Sequence, residues 1–560
     1  MIHLSIIITW IILTIAFLGM GSYIIQIFSI KRMNMETLLS SLCLGWAALI
    51  IILQIWHLFL PVDIAAVVCF LIIGFTGCIV HKHYFDHIKL ILGTNKGKLA
   101  LLFVILFAIW LSNQVMRENN LYDSGLYHLG MIQWISTYPI VPGLGNLHGR
   151  FAFNNSFFLY LSFLDTGHWK HFSAHLGNGL LLLILSFYLC LSFFKIFQDR
   201  ITKGGFIFIL LLTYPILYRC TDICATTSTD LPIFIFTIII AYYLFQIIFN
   251  KKDDNLLQFH VFMVIFLSLI CVTIKLSFIA FGFTASLISA IICIRKMLIR
   301  KDLNQLKKMT VLIFASTLIT IFPWMIRGIY LSGYLVYPST FGAFDVEWQI
   351  SHDKVVKEGQ WVKSWARQPR IDPDIVLVDW QWLKPWSKRM MKKAYVMTTI
   401  FLIVIGFILT FSKSTCRKER LLYFLWFLPG IVSLIFWFFT APDPRFAMGS
   451  FWVLAAGALT SSIKCWEFDN KTQFAKTVVT ISTLIIIRAI IMGDFNSDIT
   501  PGKTAQVKNY ETKFGLVVSI PIEGDQCWDS PIPCTYAPDP LLKLRVNGHI
   551  EKGFMVPGNY

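Results

Sequence analysis

The chain has 560 residues, of which 56% are hydrophobic, 15% aromatic and only 14% charged. That composition excludes an ordinary water-soluble globular protein and points to a polytopic membrane protein. The formal net charge of +17 does not indicate a nucleic-acid binder, because the basic residues fall between apolar runs, where they set topology and attract anionic lipid.

At about twenty residues per crossing, apolar runs stand near 6–30, 37–60, 62–80, 99–115, 175–194, 205–219, 231–249, 257–274, 276–294, 310–327, 394–411, 421–440, 446–463 and 475–493. The expected fold is therefore all-α, with about fourteen transmembrane helices. The first run lacks a basic n-region before it and a small-residue cleavage site, so it reads as a retained span. Lys and Arg cluster in alternate loops, among them Lys31 and Arg32, Lys82 to Lys98, Lys195 to Lys203, Arg295 to Lys308 and Lys413 to Arg420. These loops are expected to be cytoplasmic. The other set then faces outward, including both termini and the long loops 116–174 and 328–393. Lys388, Arg389, Lys392 and Lys393 crowd the outer end of a span against this trend, in a loop long enough for the rule to weaken.

Asn119 to Arg150 is a strongly polar stretch in a chain that is otherwise mostly apolar runs. Asp123 follows the fourth run and should sit at a membrane boundary, where an ionisable group suggests function. Apolar Leu126, Leu129, Ile132 and Ile135 alternate with polar Ser124, His128, Gln133 and Ser136, predicting a helix along the interface. Beyond Pro139 a glycine-rich loop runs through Gly143, Gly145 and Gly149 to His148 and Arg150. Such a loop can offer backbone N–H groups and a guanidinium to a phosphate.

Further unusual residues gather in the other outward turns: Arg219, Asp222 and Asp230, Lys275 between two spans, Arg327 after Pro323 and Trp324, and Asp443 with Arg445 in PDPRF. The 328–393 segment carries six tryptophans, readable as an interfacial belt or as stacking surfaces for sugar rings. Asp372-Pro373-Asp374 spells D-x-D but reads first as a turn. Cys527 and Cys534 bracket WDSPIP in the polar tail, a loop that a disulfide can staple in an oxidising compartment. The remaining tail has one strand-like run, Phe514 to Ile520, and is expected to cap the outer face. No H-E-x-x-H, Walker loop or G-x-S-x-G element is present, which argues against a zinc protease, an ATP-driven pump and a serine hydrolase.

One carboxylate among several cations at a membrane surface suits transfer of a sugar from a lipid phosphate to a hydroxyl. The carboxylate takes the acceptor's proton, and the cations meet the charge of the departing phosphate. An Asp in the first large outward loop, within YDSGLYH, followed by many spans and outward arginines, resembles the GT-C superfamily of polyprenyl-phosphate-sugar-dependent glycosyltransferases. The blocks VPGLGNLHGR, PDPRF and GDQCWDSPIPC are similar to a group of little-characterised bacterial polytopic proteins of surface-polysaccharide synthesis. The resemblance implies that Asp123 is the general base and that outward Arg and Lys residues bind the lipid phosphate. Candidates for substrate binding are His128, His148, Arg150, Asp222, Lys275, Arg327 and Arg445. It further implies a bacterial inner-membrane enzyme with a periplasmic site, a lipid-linked sugar donor and a glycan or glycolipid acceptor. The superfamily's paired acidic motif is missing, since Ser124 follows Asp123. No metal ligand set and no resident cofactor are therefore assigned. Residues 1–98 would be accessory helices, 99–493 the GT-C-like core, and 494–560 the extracytoplasmic cap.

Each of these residues has a plainer role open to it. Asp123 can be an N-cap, Arg150 and Arg445 can be structural partners of carbonyls or of Asp443, and the histidines can be hydrogen-bonded and inert. Two other functions fit the same face: an O-antigen-type polymerase or ligase relying on Arg and His, and a non-enzymatic flippase or transporter of lipid-linked sugars.

Overall fold

The computed structural model describes residues 2–30, 34–196, 203–249, 254–412, 419–465, 471–491, 499 and 502–557. It is a helical bundle bearing a small β appendage. The first half comprises α1 (Ile2–Gln26), α2 (Met35–Trp56), α3 (Ile64–Val80), α4 (Lys82–Gly93), α5 (Asn95–Gln114), α6 (Leu129–Thr137), α7 (Leu144–Leu147), α8 (Phe157–Leu164), α9 (Gly177–Lys195), α10 (Lys203–Leu211), α11 (Thr213–Ile223) and α12 (Asp230–Phe249). The second half comprises α13 (Asp254–Ile274), α14 (Ile279–Ile299), α15 (Leu303–Ser332), α16 (His352–Arg367), α17 (Pro373–Val376), α18 (Leu383–Met391), α19 (Ala394–Ser412), α20 (Arg420–Thr440), α21 (Met448–Cys465) and α22 (Lys471–Ile491).

Among the described residues the apolar runs of the sequence fall mainly on helices, as they must in hydrocarbon, where only internal hydrogen bonds satisfy the backbone. Among the described residues eleven helices are long and apolar enough to cross a membrane. The chain is thus an all-α polytopic membrane protein. The run at 205–219 is not one continuous helix but α10 and α11, broken at Leu212. Pro215, in the first turn of α11, has no N–H to offer to the preceding turn, which accounts for the break.

Packing in α1, α2 and α3 depends on small residues, because without water to exclude, close backbone approach supplies the attraction. A Cβ on Gly45 would lie 2.0 Å from the Phe17 carbonyl oxygen, and one on Gly19 would lie 1.8 Å from that of Gly74. Deeper in the bundle, α12 is enclosed by α9, α13, α14, α20 and α21. Trp46 of α2 stacks on Phe236 with ring centroids 4.6 Å apart, and Trp426 Nε1 donates to the Ala241 carbonyl at 2.9 Å.

Polar contacts divide the helix ends into two layers. In one, Lys308 Nζ donates to Ile27 O at 2.8 Å, Tyr84 Oη to Ile30 O at 3.2 Å, and Lys296 pairs with Asp254 at 2.9 Å. In the other, the Ile140 N–H donates to His57 O at 2.9 Å, the Ser156 N–H to Thr273 O at 3.1 Å and Trp386 Nε1 to Pro442 O at 2.7 Å. The second layer carries the long segments. Its predicted interfacial helix is a π-turn, Ser124–His128, leading into α6. That helix does not lie open: Ile132, Trp134 and Ile135 are buried, α6 packs on α8, and Trp134 meets Phe554 of the tail edge-on. The tail forms two antiparallel pairs, β1 (Val507–Glu511) with β2 (Val517–Pro521) and β3 (Lys543–Leu544) with β4 (Phe554–Met555). Cys527 and Cys534 are bonded, with Cα atoms 6.1 Å apart.

Replacing Gly45 by Ala forces α1 and α2 apart. The expected cost is about 1–3 kcal/mol, the usual penalty for overpacking, read as a lower unfolding midpoint of the purified protein in detergent. An unchanged midpoint would show that the α1–α2 crossing is not held by this close approach.

Candidate active site

Asp123 closes the connection that leaves α5. Its backbone is helical, and its side chain makes no capping bond to the turn that follows. Both carboxylate oxygens face cations instead. Arg445 Nη1 donates to Oδ2 at 2.9 Å, and Arg150 Nη1 stands 3.7 Å from Oδ1. Burial raises the Asp123 pKa, but the charges of Arg445 and Arg150 outweigh it and hold the carboxyl below its ordinary range.

Arg445 is aimed by its own short turn. Asp443 accepts from the Arg445 N–H at 3.1 Å, and Pro444 starts the 3-10 helix Pro444–Phe446. The Arg445 guanidinium lies 4.9 Å from the centre of the Phe446 ring, and the Lys275 ammonium lies 4.2 Å from the same centre. Lys275 is paired with Asp230. Burial disfavours the charge on Arg445, yet Asp230, Asp123 and Asp443 more than offset it, so its pKa is raised. Both cations thus share the Phe446 ring, and each is also held by a carboxylate.

Arg150 links Asp123 to a second acid that the sequence did not single out. Its Nε lies 3.7 Å from Glu358 Oε1, on α16. Burial raises the Glu358 pKa despite Arg150, and that oxygen has no hydrogen-bond partner. Arg150 thus has two carboxylates within 3.7 Å, Asp123 and Glu358. Within KEGQW, on an amphipathic helix, Glu358 reads as solvated, and no sequence signal distinguishes it from such a residue.

Both histidines are buried. Burial, opposed by Asp123, lowers His128 to about 4, and its Nδ1 lies 2.8 Å from Thr227 Oγ1, which also meets Ser124 Oγ at 2.6 Å. Burial and Arg150 lower His148 to about 3, and its Nδ1 accepts from the Arg150 N–H at 3.1 Å. They shape the wall as neutral rings. Arg327 stands apart from Asp123 and its paired cations. It is wholly buried, donating from Nε to Asn154 Oδ1 at 3.2 Å and from Nη1 to His57 Nδ1. Asp222 pairs with Arg219 at 2.7 Å and borders a cavity of about 380 Å³ lined also by Arg117, Glu118, Asn120, Thr221 and Thr226. That cavity opens along the chain segment leading to Asp123. Among the described residues no group of three or more His, Cys, Asp or Glu residues is placed to hold a metal ion.

The tail grips this loop at successive points. Asp525 accepts from the Tyr122 hydroxyl, Gln526 Nε2 donates to Tyr122 O at 2.9 Å, and the Trp528 N–H donates to Gly125 O at 2.8 Å. The Trp528 indole covers Gly125 so closely that a Cβ there would lie 2.6 Å from the ring. Lys503 bonds Asn120 Oδ1 at 2.6 Å and Glu118 at 2.9 Å. On the Arg150 side, the Phe554 N–H donates to Pro142 O at 3.0 Å, and Gly143 turns at φ 65 under the Phe554 carbonyl, which a Cβ would approach to 2.1 Å.

Trp528→Ala removes the indole from Gly125 and should speed hydrogen exchange of the amides at 121–128 roughly tenfold, as expected for lost apolar cover on a local opening. Mass spectrometry of the full chain in nanodiscs reads this directly. Unaltered exchange there would mean that the loop keeps its shape without the tail.

No curated protein and no solved structure matches the chain. Residues 3–452 match a family described as "Domain of unknown function (DUF8201)". The match takes in Asp123, Arg150, Glu358 and Arg445 and leaves out the gripping tail. The chain belongs to the DUF8201 family.

Proposed function

We propose that this protein is a membrane glycosyltransferase of GT-C type, crossing the bilayer about fourteen times. It moves a sugar from a polyprenyl-phosphate donor to a lipid-linked or surface glycan acceptor on the extracytoplasmic face. The observation that carries this reading is the buried Asp123 carboxylate held between Arg445 and Arg150.

In the reaction the acceptor oxygen forms a bond to the anomeric carbon as the bond from that carbon to the phosphate oxygen breaks. The acceptor's proton passes to Asp123, and the electron pair leaves with the polyprenyl phosphate. Arg445, Arg150 and Lys275 are the cations available to that phosphate. While Arg445 holds Asp123 the carboxylate is charged but a weak base. A phosphate drawing Arg445 towards itself leaves burial as the dominant influence on Asp123, and its basicity rises. The cavity lined by Asn120 and Asp222 offers space for an acceptor.

Asp123→Asn should lower turnover about 10²–10⁴-fold, the usual contribution of a positioned base, while the protein still accumulates in the membrane. Turnover is read by mass spectrometry of membrane lipids and surface glycan, as accumulation of the polyprenyl-phosphate sugar. The sign of the pH dependence follows from the ion pair. Asp123 must be unprotonated, so wild-type activity falls only as pH drops through its depressed pKa, and any stability from the pair is lost over the same fall. Arg445→Gln should move this acid limb upward by about one unit or more. Full activity in Asp123→Asn would end the base assignment; if Arg150→Ala then proved inactive, the carboxylate-independent polymerase or ligase would take its place.

A further inference from the structure

Residues 373–393 connect the short outward helices to the span α19, so continuity of the chain places them at the lipid boundary if α19 crosses. Their contacts agree. Trp380 lies 6.3 Å, centroid to centroid, from both Phe438 and Phe439, and Trp382 lies 5.9 Å from Phe438. Those phenylalanines end the neighbouring span α20, and Phe439 is 59% exposed on its flank. Beside this anchor three apolar side chains lie open: Ile375 is 68% exposed, Val378 78% and Trp380 55%. Water is a poor neighbour for such a group, and a bilayer edge is a good one.

The polar side of the same segment is cationic. Lys384, Lys388, Lys392 and Lys393 are exposed, and none pairs with a carboxylate among the described residues. Arg389 differs, since its guanidinium is used internally, donating to the Ala366 carbonyl and feeling Asp443. The stretch holds five basic residues against the two acids Asp374 and Asp379. Topology signals do not explain this cluster, because cations on this layer oppose the bias set by the opposite one. Charge complementarity names the occupant.

We propose that residues 373–393 form a docking surface for anionic lipid, with Ile375, Val378 and Trp380 entering the leaflet beside α20 and the four lysines meeting phosphate headgroups. The inference rests on α19 and α20 crossing a membrane and not on sugar transfer. A lysine near an anionic surface gains affinity by about fivefold, so four together make the docking steeply dependent on lipid charge and on salt.

The test uses the full chain in nanodiscs of phosphatidylcholine alone or with about one-third phosphatidylglycerol, reading hydrogen exchange across 373–393. Exchange is expected to slow by about tenfold or more when phosphatidylglycerol is present, and this slowing should vanish in the Lys384→Gln, Lys388→Gln, Lys392→Gln, Lys393→Gln variant. Adding inorganic phosphate to phosphatidylcholine discs should not reproduce it, which separates a headgroup from a free anion. Ile375→Ser with Val378→Ser should speed exchange in both lipids. Equal exchange in the two lipids would overturn the anionic preference. Exchange indifferent to the serine pair would overturn the insertion itself.

Discussion

The ion pair between Asp123 and Arg445 joins residues 322 positions apart, and the geometry of the layer that carries the long connections depends on it. A carboxylate largely removed from water is costly unless paired and hydrogen-bonded. Asp123 satisfies that condition only when the turn after α20 and the loop after α5 meet. The requirement extends outward: Arg445 shares Phe446 with Lys275, Lys275 holds Asp230, and Asp230 begins α12, the most enclosed helix of the bundle. Charge neutralisation at one layer thereby fixes how four separate connections sit over the bundle.

Much of the scaffold was legible because hydrocarbon imposes length and composition on each crossing, and eleven helices among the described residues meet both. The break between α10 and α11 was visible in Pro215 but hidden by the run's uniform hydropathy. The polarity of Asn119 to Arg150 picked out the loop that carries one half of the Asp123–Arg445 ion pair, and the arginine of PDPRF was readable as an oddity next to a span. Its partner was not, since nothing local relates Arg445 to Asp123 rather than to Asp443 two residues away. Arg327, inside an apolar run, was readable as a site candidate, but its partners were not: Nε and Nη1 meet Asn154 and His57, whose proximity comes only from packing, while its buried Nη2 has no hydrogen-bond partner. Glu358 and Trp528 escaped notice for the same reason, being ordinary residues in their own segments and decisive only across hundreds of positions.

The tail adds a constraint of another kind. A π-turn carries an extra residue and disturbs the regular ladder of hydrogen bonds, so the turn bearing Asp123 is poorly specified by its own backbone. Gln526 and Trp528 use the carbonyls of Tyr122 and Gly125 as external anchor points. Because Cys527 lies between these residues and is bonded to Cys534, the gripping loop is itself closed. The family match ends at residue 452, well before this tail begins. The loop chemistry and its external brace are thus separate features of the chain.

The balance of charge around Arg150 determines what a phosphate would meet there. Arg150, Lys275 and Arg445 face Asp123, Asp230 and Glu358, so the resting cluster is close to neutral if every acid is ionised. A phosphate entering such a cluster competes with carboxylates that already occupy its cations. Glu358 is the weakest competitor, since burial raises its pKa and one of its oxygens lacks a hydrogen-bond partner, whereas Asp123 is held charged. Protonation of Glu358 leaves Arg150 with one acidic partner and the cluster with net positive charge, without neutralising Asp123. Under the sugar-transfer reading the two acids divide the work by environment: Glu358 yields its cation to the donor, and Asp123 keeps its charge until the acceptor arrives.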